Sequence, residues 1–257
     1  MSEVVFLTGA SSGIGAALAK RFAAEGAHVI LAARRADVLE RLAAEITSEG
    51  GRATPAPLDV RDRDAVAKTI ARVQAEVGPI DVLIANAGVG AELPVTDFCA
   101  ERFEGLIKTN LMGPVYCIEA VLPSMLERRS GHIVGIGSLA GYRGIPAASG
   151  YSASKAALAA TLESLRVELQ NHGVKVSTIC PGFIKSPMTD SNEFEMPFIL
   201  SLEDGVDRIH RAIRAGRREY AFPWPLAFMV RASRCLPNWV YDRLLKNRRA
   251  EKSNPPA

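Results

Sequence analysis

The stretch VVFLTGASSGIG, Val4–Gly15, decides the fold. Val4–Thr8 is an apolar, β-branched run with the length of a buried strand. Gly9, Gly13 and Gly15 follow it, and from Gly13 to about Glu25 apolar residues return at helical spacing. A strand that turns through glycines into a helix sets a helix N-terminus at the strand's carboxyl end. Backbone N–H groups there can approach a phosphate, and the helix dipole favours the anion. The spacing, Gly-x-x-x-Gly-x-Gly, differs from the commoner G-x-G-x-x-G. A plain glycine-rich turn is the competing reading, but the flanking strand and helix supply the context that phosphate binding requires.

Outward from this unit the same alternation repeats. Residues 27–33, the segment ending in LDV at 58–60, 80–88, 131–138 and 174–182 read as strands. Residues 36–50, 62–77, a long region to about Arg129, and 151–172 read as helices. Strands alternating with helices predict right-handed crossovers and a doubly wound, Rossmann-type parallel sheet with helices on both faces. Near-continuous apolar strands agree with burial on both sides. No linker interrupts the chain before residue 185, so the reading is one dinucleotide-binding and catalytic domain over 1–222. A variable segment at about 187–205, a helical extension over 223–250 and a disordered tail over 251–257 complete the predicted organisation.

Composition narrows the function. The 257 residues are 48% hydrophobic and 23% charged, as in soluble globular proteins. Cys99, Cys117, Cys180 and Cys235 are widely separated and read as small buried residues of a reducing compartment. The four histidines are scattered, with no ligand spacing, so no metal site is expected. No leader and no apolar run of spanning length is visible, and the expectation is a cytoplasmic protein. The net charge of +3 hides an asymmetry: Gly205–Ala257 carries 12 Lys/Arg against 4 Asp/Glu, and residues 1–204 are net acidic.

In such a sheet, ligands bind beyond the carboxyl ends of the strands. The second strand ends in Ala33, Arg34 and Arg35, where a carboxylate would bind the ribose hydroxyls of NAD. Two guanidiniums without that carboxylate suit a 2′-phosphate, hence NADP(H), with NAD(H) as the alternative cofactor. A solvated charge pair opening the next helix is the plainer reading. Asp59 ends the third strand, where it is placed either to accept from an adenine amino group or to cap a turn. Asn86–Gly88 (NAG) end the fourth strand, Ser138 the fifth, and Pro181 and Gly182 the sixth.

Tyr151 and Lys155, in GYSASKAAL, lie one helical turn apart on one face. An ammonium beside a phenol favours the phenolate. A downward shift of about 3 units, roughly 4 kcal/mol, would bring the tyrosine to the pKa of a general acid/base. A half-buried tyrosine and a solvated lysine are the alternative. Ser138 is not an acyl-transfer nucleophile on this sequence, because no G-x-S-x-G elbow surrounds it and no histidine is placed as its base.

Together, TGASSGIG, NAG at 86–88, Asn110 in KTNLMG, Ser138 in IGSLAG, YSASK at 151–155 and PGFIKSPM at 181–188 resemble the classical short-chain dehydrogenases/reductases over residues 3 to about 190. The resemblance implies reversible hydride transfer between a nicotinamide and a carbonyl or alcohol. It implies that Tyr151 exchanges the proton, that Lys155 tunes it and holds the nicotinamide ribose, and that Ser138 orients the carbonyl. Asn110 would hold a water linking Lys155 to solvent. With the strand-end reading, it places Gly9, Ser11, Ser12, Gly13, Ile14, Gly15, Arg34, Arg35, Asp59, Val60, Asn86, Ala87, Gly88, Tyr151, Lys155, Pro181, Gly182, Ile184 and Ser186 around the cofactor. It also implies a homodimer or homotetramer built on the helices at about 101–128 and 151–172. Ala85 before NAG and Ser186 after PG depart from the family's usual Asn and Thr.

The remaining residues follow no family motif. Phe194, Met196, Phe198, Ile199 and Leu200 among acids suggest a lid with an apolar inner face, or simple core packing. After Tyr220, aromatic and basic residues alternate on two short helical segments, with Pro225 opening one and Asn238 capping the other. They suit burial against the pocket or a neighbouring subunit, or else peripheral contact with an anionic membrane. Nucleic acid is not indicated, because no nucleic-acid module accompanies the basic residues. Two functions follow: an oxidoreductase acting on an apolar carbonyl or secondary alcohol, or a non-catalytic dinucleotide-binding protein docking through its C-terminal region.

Overall fold

The computed structural model describes residues 2–190 and 195–250, with side chains through Leu245. Phe194 of the expected lid and the tail at 251–257 lie outside the described residues. Seven strands form one parallel sheet: β1 (Val4–Thr8), β2 (His28–Ala33), β3 (Arg52–Pro57), β4 (Val82–Ala85), β5 (Gly131–Ile136), β6 (Val174–Pro181) and β7 (Glu219–Phe222). Their order is β3-β2-β1-β4-β5-β6-β7. β1 sits between β2 and β4, with Val5 opposite Val29 on one side and Val82 on the other. The chain reverses its direction of sheet building between β1 and β4, and a crevice opens there at the strands' carboxyl ends. Pro55 and Pro57 fit β3 because it is an edge strand and has no further partner to hydrogen-bond.

Alternate strand residues feed two cores. Val5, Leu7, Val29 and Leu31 pack under α1 (Gly13–Ala24), α2 (Ala36–Ser48) and α7 (Leu202–Arg214). Val4, Phe6, Ile30 and Ala32 pack under α3 (Arg63–Glu76), α5 (Gly113–Arg128) and α6 (Ser149–Glu168). The period of two along each strand thus divides the side chains between the two helical layers. α4 (Ala100–Ile107) precedes α5 and is joined to it by a π-helical segment, Lys108–Met112.

α7 and β7 extend the alternation beyond Gly182, where the sequence reading ends it. Leu202, Val206, Ile209 and Ile213 recur at helical spacing, and all four join the first core. The expected lid is therefore shorter than 187–205. Its ends are tied together: Lys185 N–H donates to Leu200 O at 3.0 Å, and Leu200 N–H to Phe183 O at 3.0 Å. The extension forms α8 (Trp224–Ser233) and α9 (Asn238–Ala250). Pro225 lies in the first turn of α8 as expected. Asn238 does not serve as the expected cap; it is the first residue of α9, and its Oδ1 accepts from Arg143 at 3.3 Å. Cys117 and Cys180 are buried, but Cys235 is exposed, against expectation, because it sits in the turn between α8 and α9. No described helix is long and apolar enough to cross a membrane, and no described cluster of His, Cys, Asp or Glu is suited to hold a metal ion.

Candidate active site

A cavity of about 1490 Å³ lies along the carboxyl ends of the strands. Every residue expected at the cofactor or at the reacting atoms lines it, with the single exception of Asn110.

One end is the glycine turn. Gly9 has φ +69°, and a Cβ there would lie 2.8 Å from Ala87 Cα. A Cβ on Gly15 would lie 2.2 Å from the Gly9 carbonyl oxygen. The turn is thus closed by backbone packed on backbone, with no room for a side chain. No side chain caps α1: Ser12 is extended, its hydroxyl makes no capping bond, and the first turn carries no acid. The positive end of the helix faces the cavity uncompensated, and this is the arrangement a phosphate fits. Asn86 lines the cavity and also bonds to the end of β1. Its Nδ2 donates to Thr8 O at 3.0 Å, while Asn86 N–H and Ala87 N–H both donate to Thr8 Oγ1 at 3.0 Å. Asn86 therefore clamps the end of β4 to the glycine turn.

Beside the turn stand Arg34, Arg35 and Arg61, all exposed and all at the cavity wall. Arg35 Nη2 donates to Ser11 Oγ at 2.9 Å and to Ser11 O at 3.2 Å. Asp59 lines the cavity and is also paired with Arg61. Arg61 donates to it through the backbone N–H and Nε at 3.0 Å and through Nη2 at 2.6 Å. These bonds, with the nearby Arg34 charge, hold the Asp59 carboxyl below the usual carboxylate range. Arg61 lines the cavity and was not singled out by the motif reading. Its signal was its position, two residues after the strand-end Asp59.

At the centre of the cavity, Ser138 follows β5, and Tyr151 and Lys155 project from the first two turns of α6. The Ser138 and Tyr151 side chains both line the cavity, and Ser138 Oγ accepts from Ala140 N–H at 3.1 Å. Lys155 is buried, with Nζ donating to Ile136 O at 2.8 Å and lying 5.8 Å from the Tyr151 ring centroid. The expected lowering of the Tyr151 pKa is not found. Burial pushes the phenol up, opposed by the Ser138 hydrogen bond. Burial also brings Lys155 down to about 8. Desolvation disfavours the charged form of both groups, and spacing along a helix carries no information about it.

Asn110 lies behind this wall, fully buried in the π-helical segment. Its Oδ1 accepts from Val89 N–H at 2.8 Å, and its Nδ2 donates to Val89 O at 3.0 Å and to Ser154 Oγ at 3.1 Å. The side chain is thus engaged with the protein, fixing the backbone after NAG to α6. Gly88 fits between them: a Cβ there would lie 3.3 Å from Asn110 Oδ1 and 3.5 Å from Lys155 Nζ.

The far end of the cavity is closed by the lid segment and the C-terminal helices. Met188 and Pro197 contribute from the first, and Leu226, Met229, Val230, Tyr241 and Leu245 from the second. α9 is tied to the loop between Ser138 and Tyr151. Tyr241 OH donates to Gly144 O at 2.7 Å, and the Arg143 guanidinium lies 3.7 Å from the Tyr241 ring centroid. α8 is tied by Arg231, which donates to Glu219 Oε1 at 2.8 Å and to Tyr142 OH at 3.1 Å. On the faces that line the pocket Leu226 is buried, and Val230, Tyr241 and Leu245 are half-buried.

Comparison with known proteins agrees with this geometry. Residues 3–196 match the family described as short chain dehydrogenase. An uncharacterized oxidoreductase of Myxococcus xanthus is 43% identical over 240 residues, covering 93% of this chain and 95% of the relative. An alcohol dehydrogenase from Thermococcus sibiricus, solved with 5-hydroxy-NADP, is 27% identical with a TM-score of 0.78 over 86% of this chain and 96% of that one. A short chain dehydrogenase/reductase from Burkholderia phymatum, solved with NAD, is 25% identical with a TM-score of 0.83 over 90% of this chain and 92% of that one.

Proposed function

The chain belongs to the short-chain dehydrogenase family and is an NAD(P)-dependent oxidoreductase, and on that premise we propose that it uses NADP(H) to reduce the carbonyl group of an apolar small molecule. The observation that carries this reading is one continuous cavity. The uncapped α1 terminus and three arginines line one end of it, Ser138, Tyr151 and Lys155 the middle, and apolar side chains the other end.

The α1 N-terminus and the glycine turn hold the dinucleotide's pyrophosphate, and Arg34, with Arg35 and Arg61 beside it, holds a 2′-phosphate. The bound dinucleotide supplies the hydride. Tyr151 gives its hydroxyl proton to the substrate's carbonyl oxygen. Its raised pKa keeps it a phenol at neutral pH, which is the form needed for reduction. Ser138, which lines the cavity with Tyr151, donates to the same oxygen and fixes its position. Lys155, with its pKa at about 8, remains mostly protonated at pH 7 and supports the phenolate that forms. Asn110 holds the strand-end backbone against α6, and so the position of Lys155.

Val89, Leu139, Ile145, Leu226, Val230 and Leu245 make the substrate end predominantly apolar, which supports an aliphatic or ring ketone. A homodimer or homotetramer built on α4, α5 and α6, and a peripheral contact of the C-terminal region with lipid, belong to the same reading.

The test is a fluorescence titration with NADPH and NADH, followed by NADPH oxidation with a panel of ketones. The reading expects tighter binding of NADPH, reduced at least tenfold by Arg34→Ala with NADH binding unchanged. Equal binding of the two cofactors by wild type and variant would overturn the cofactor assignment.

A further inference from the structure

We propose that α8 and α9 together form a docking surface for an anionic lipid bilayer, through which a bilayer-dissolved carbonyl substrate reaches the cavity behind them. This rests on the carbonyl-reductase reading above and adds the substrate's physical class and its route.

Each of the two helices has two apolar faces, which a helix packed on a soluble core does not need. On α8, Leu226, Met229, Val230 and Ser233 recur at i, i+3, i+4 and i+7 and line the cavity. Trp224 and Phe228, at i and i+4, lie off that stripe and are 77% and 68% exposed. On α9, Tyr241, Leu244 and Leu245 line the cavity, while Trp239 is 72% exposed. A single layer of helix therefore separates the cavity from an aromatic outer surface. Met229 and Leu244 belong to both: they line the cavity and are themselves exposed. The cavity therefore reaches the aromatic surface at these two residues.

The charge of this surface selects its occupant. Over residues 224–245 there are three arginines, Arg231, Arg234 and Arg243, and one acid, Asp242, whereas residues 1–204 are net acidic. Arg234 and Arg243 are exposed and form no ion pair among the described residues. Tryptophan, phenylalanine and arginine on one helical surface match the apolar boundary and anionic headgroups of a bilayer. A second copy is a poorer occupant, because a two-fold contact would bring the same arginines together. Arg231 on Glu219 and Arg143 on Tyr241 hold both helices in place, so that the aromatic face stays outward when the inner face is filled.

The experiment uses the full chain and co-sedimentation with phosphatidylcholine vesicles, with and without phosphatidylserine. A triple variant, Trp224→Ser, Phe228→Ser and Trp239→Ser, alters none of the cavity-lining residues. Wild type is expected to bind the phosphatidylserine vesicles at least tenfold more tightly than phosphatidylcholine alone, and less tightly as salt is raised. The variant is expected to lose that binding about tenfold. It should keep its turnover of a water-soluble ketone and lose most of its turnover of a long-chain ketone held in the vesicles. Failure of wild type to sediment with anionic vesicles would overturn the proposal, as would a wild-type dimer that the triple variant dissociates. Vesicle binding without NADPH oxidation by any ketone would instead overturn the reductase reading, and with it the delivery of substrate.

Discussion

Replacing Asn110 by alanine separates a holding role from a chemical one. The side chain supplies three hydrogen bonds, to Val89 N–H, Val89 O and Ser154 Oγ, from a fully buried position. Alanine leaves those three groups without their partner. Ser154 is itself fully buried, but its hydroxyl keeps a second bond to Tyr151 O at 2.8 Å. The two Val89 groups have no such substitute, yet Val89 is 36% exposed, so water can reach them in part. A buried unpaired group costs about 1–3 kcal/mol. Taking the low end for each Val89 group and adding the small void gives about 2–3 kcal/mol. For a chain of this size that lowers the melting temperature by roughly 5–10 °C. Calorimetry and urea unfolding measure it directly. Turnover should fall as well, since the same bonds position the backbone beside Lys155. An unfolding free energy within about 0.5 kcal/mol of wild type, with turnover lost, would refute the reasoning and leave Asn110 a purely chemical role.

Other outcomes follow from single residues. His132 is buried, bonded to Ser177 Oγ at 2.8 Å, and brought to a pKa of about 4 by burial first and then by Lys175 and Arg214. Its folded pKa is below the unfolded one, so its contribution is full above pH 6.5 and is lost as pH falls towards 4. It should account for about 2 kcal/mol of stability lost between pH 7 and pH 5, and His132→Gln should remove that part of the slope in urea titrations. Gly15→Ala puts a Cβ 2.2 Å from the Gly9 carbonyl oxygen and should weaken NADPH binding by more than about tenfold in the fluorescence titration. Gly105→Ala, whose Cβ meets nothing within 4 Å, is the control. It should bind NADPH normally and, lying within α4, unfold about 0.5–1 kcal/mol later.

What was legible in the sequence was what local chemistry dictates. The strands buried on both faces are continuous apolar runs, and the glycines at their ends mark places where backbone meets backbone, as at Gly9 and Gly15. The residues at those ends fall into one cavity because the topology brings the ends together, whatever the intervening sequence. Pairings between distant residues were not legible. Tyr241 and Gly144 are 97 positions apart, and neither belongs to a pattern that points to the other. Asp59 reads as an adenine acceptor or a turn cap, and only the fold shows Arg61 folded back onto it. The direction of the Tyr151 shift was misread for a related reason. The one-turn spacing to Lys155 is visible, but the desolvation that outweighs it arises from the whole cavity wall. α7 was hidden because acids and aromatics mix without period before Leu202, and its helical spacing starts only there.

The most direct measurement is the steady-state rate of ketone reduction by Tyr151→Phe, with NADPH affinity and melting temperature measured on the same preparation. Tyr151 as the proton donor predicts a kcat lower by about 10²–10⁴-fold. NADPH binding and melting temperature should stay close to wild type, since phenylalanine keeps the ring and loses only the hydroxyl. A kcat within about threefold of wild type would contradict the account, because the proton would then come from another group.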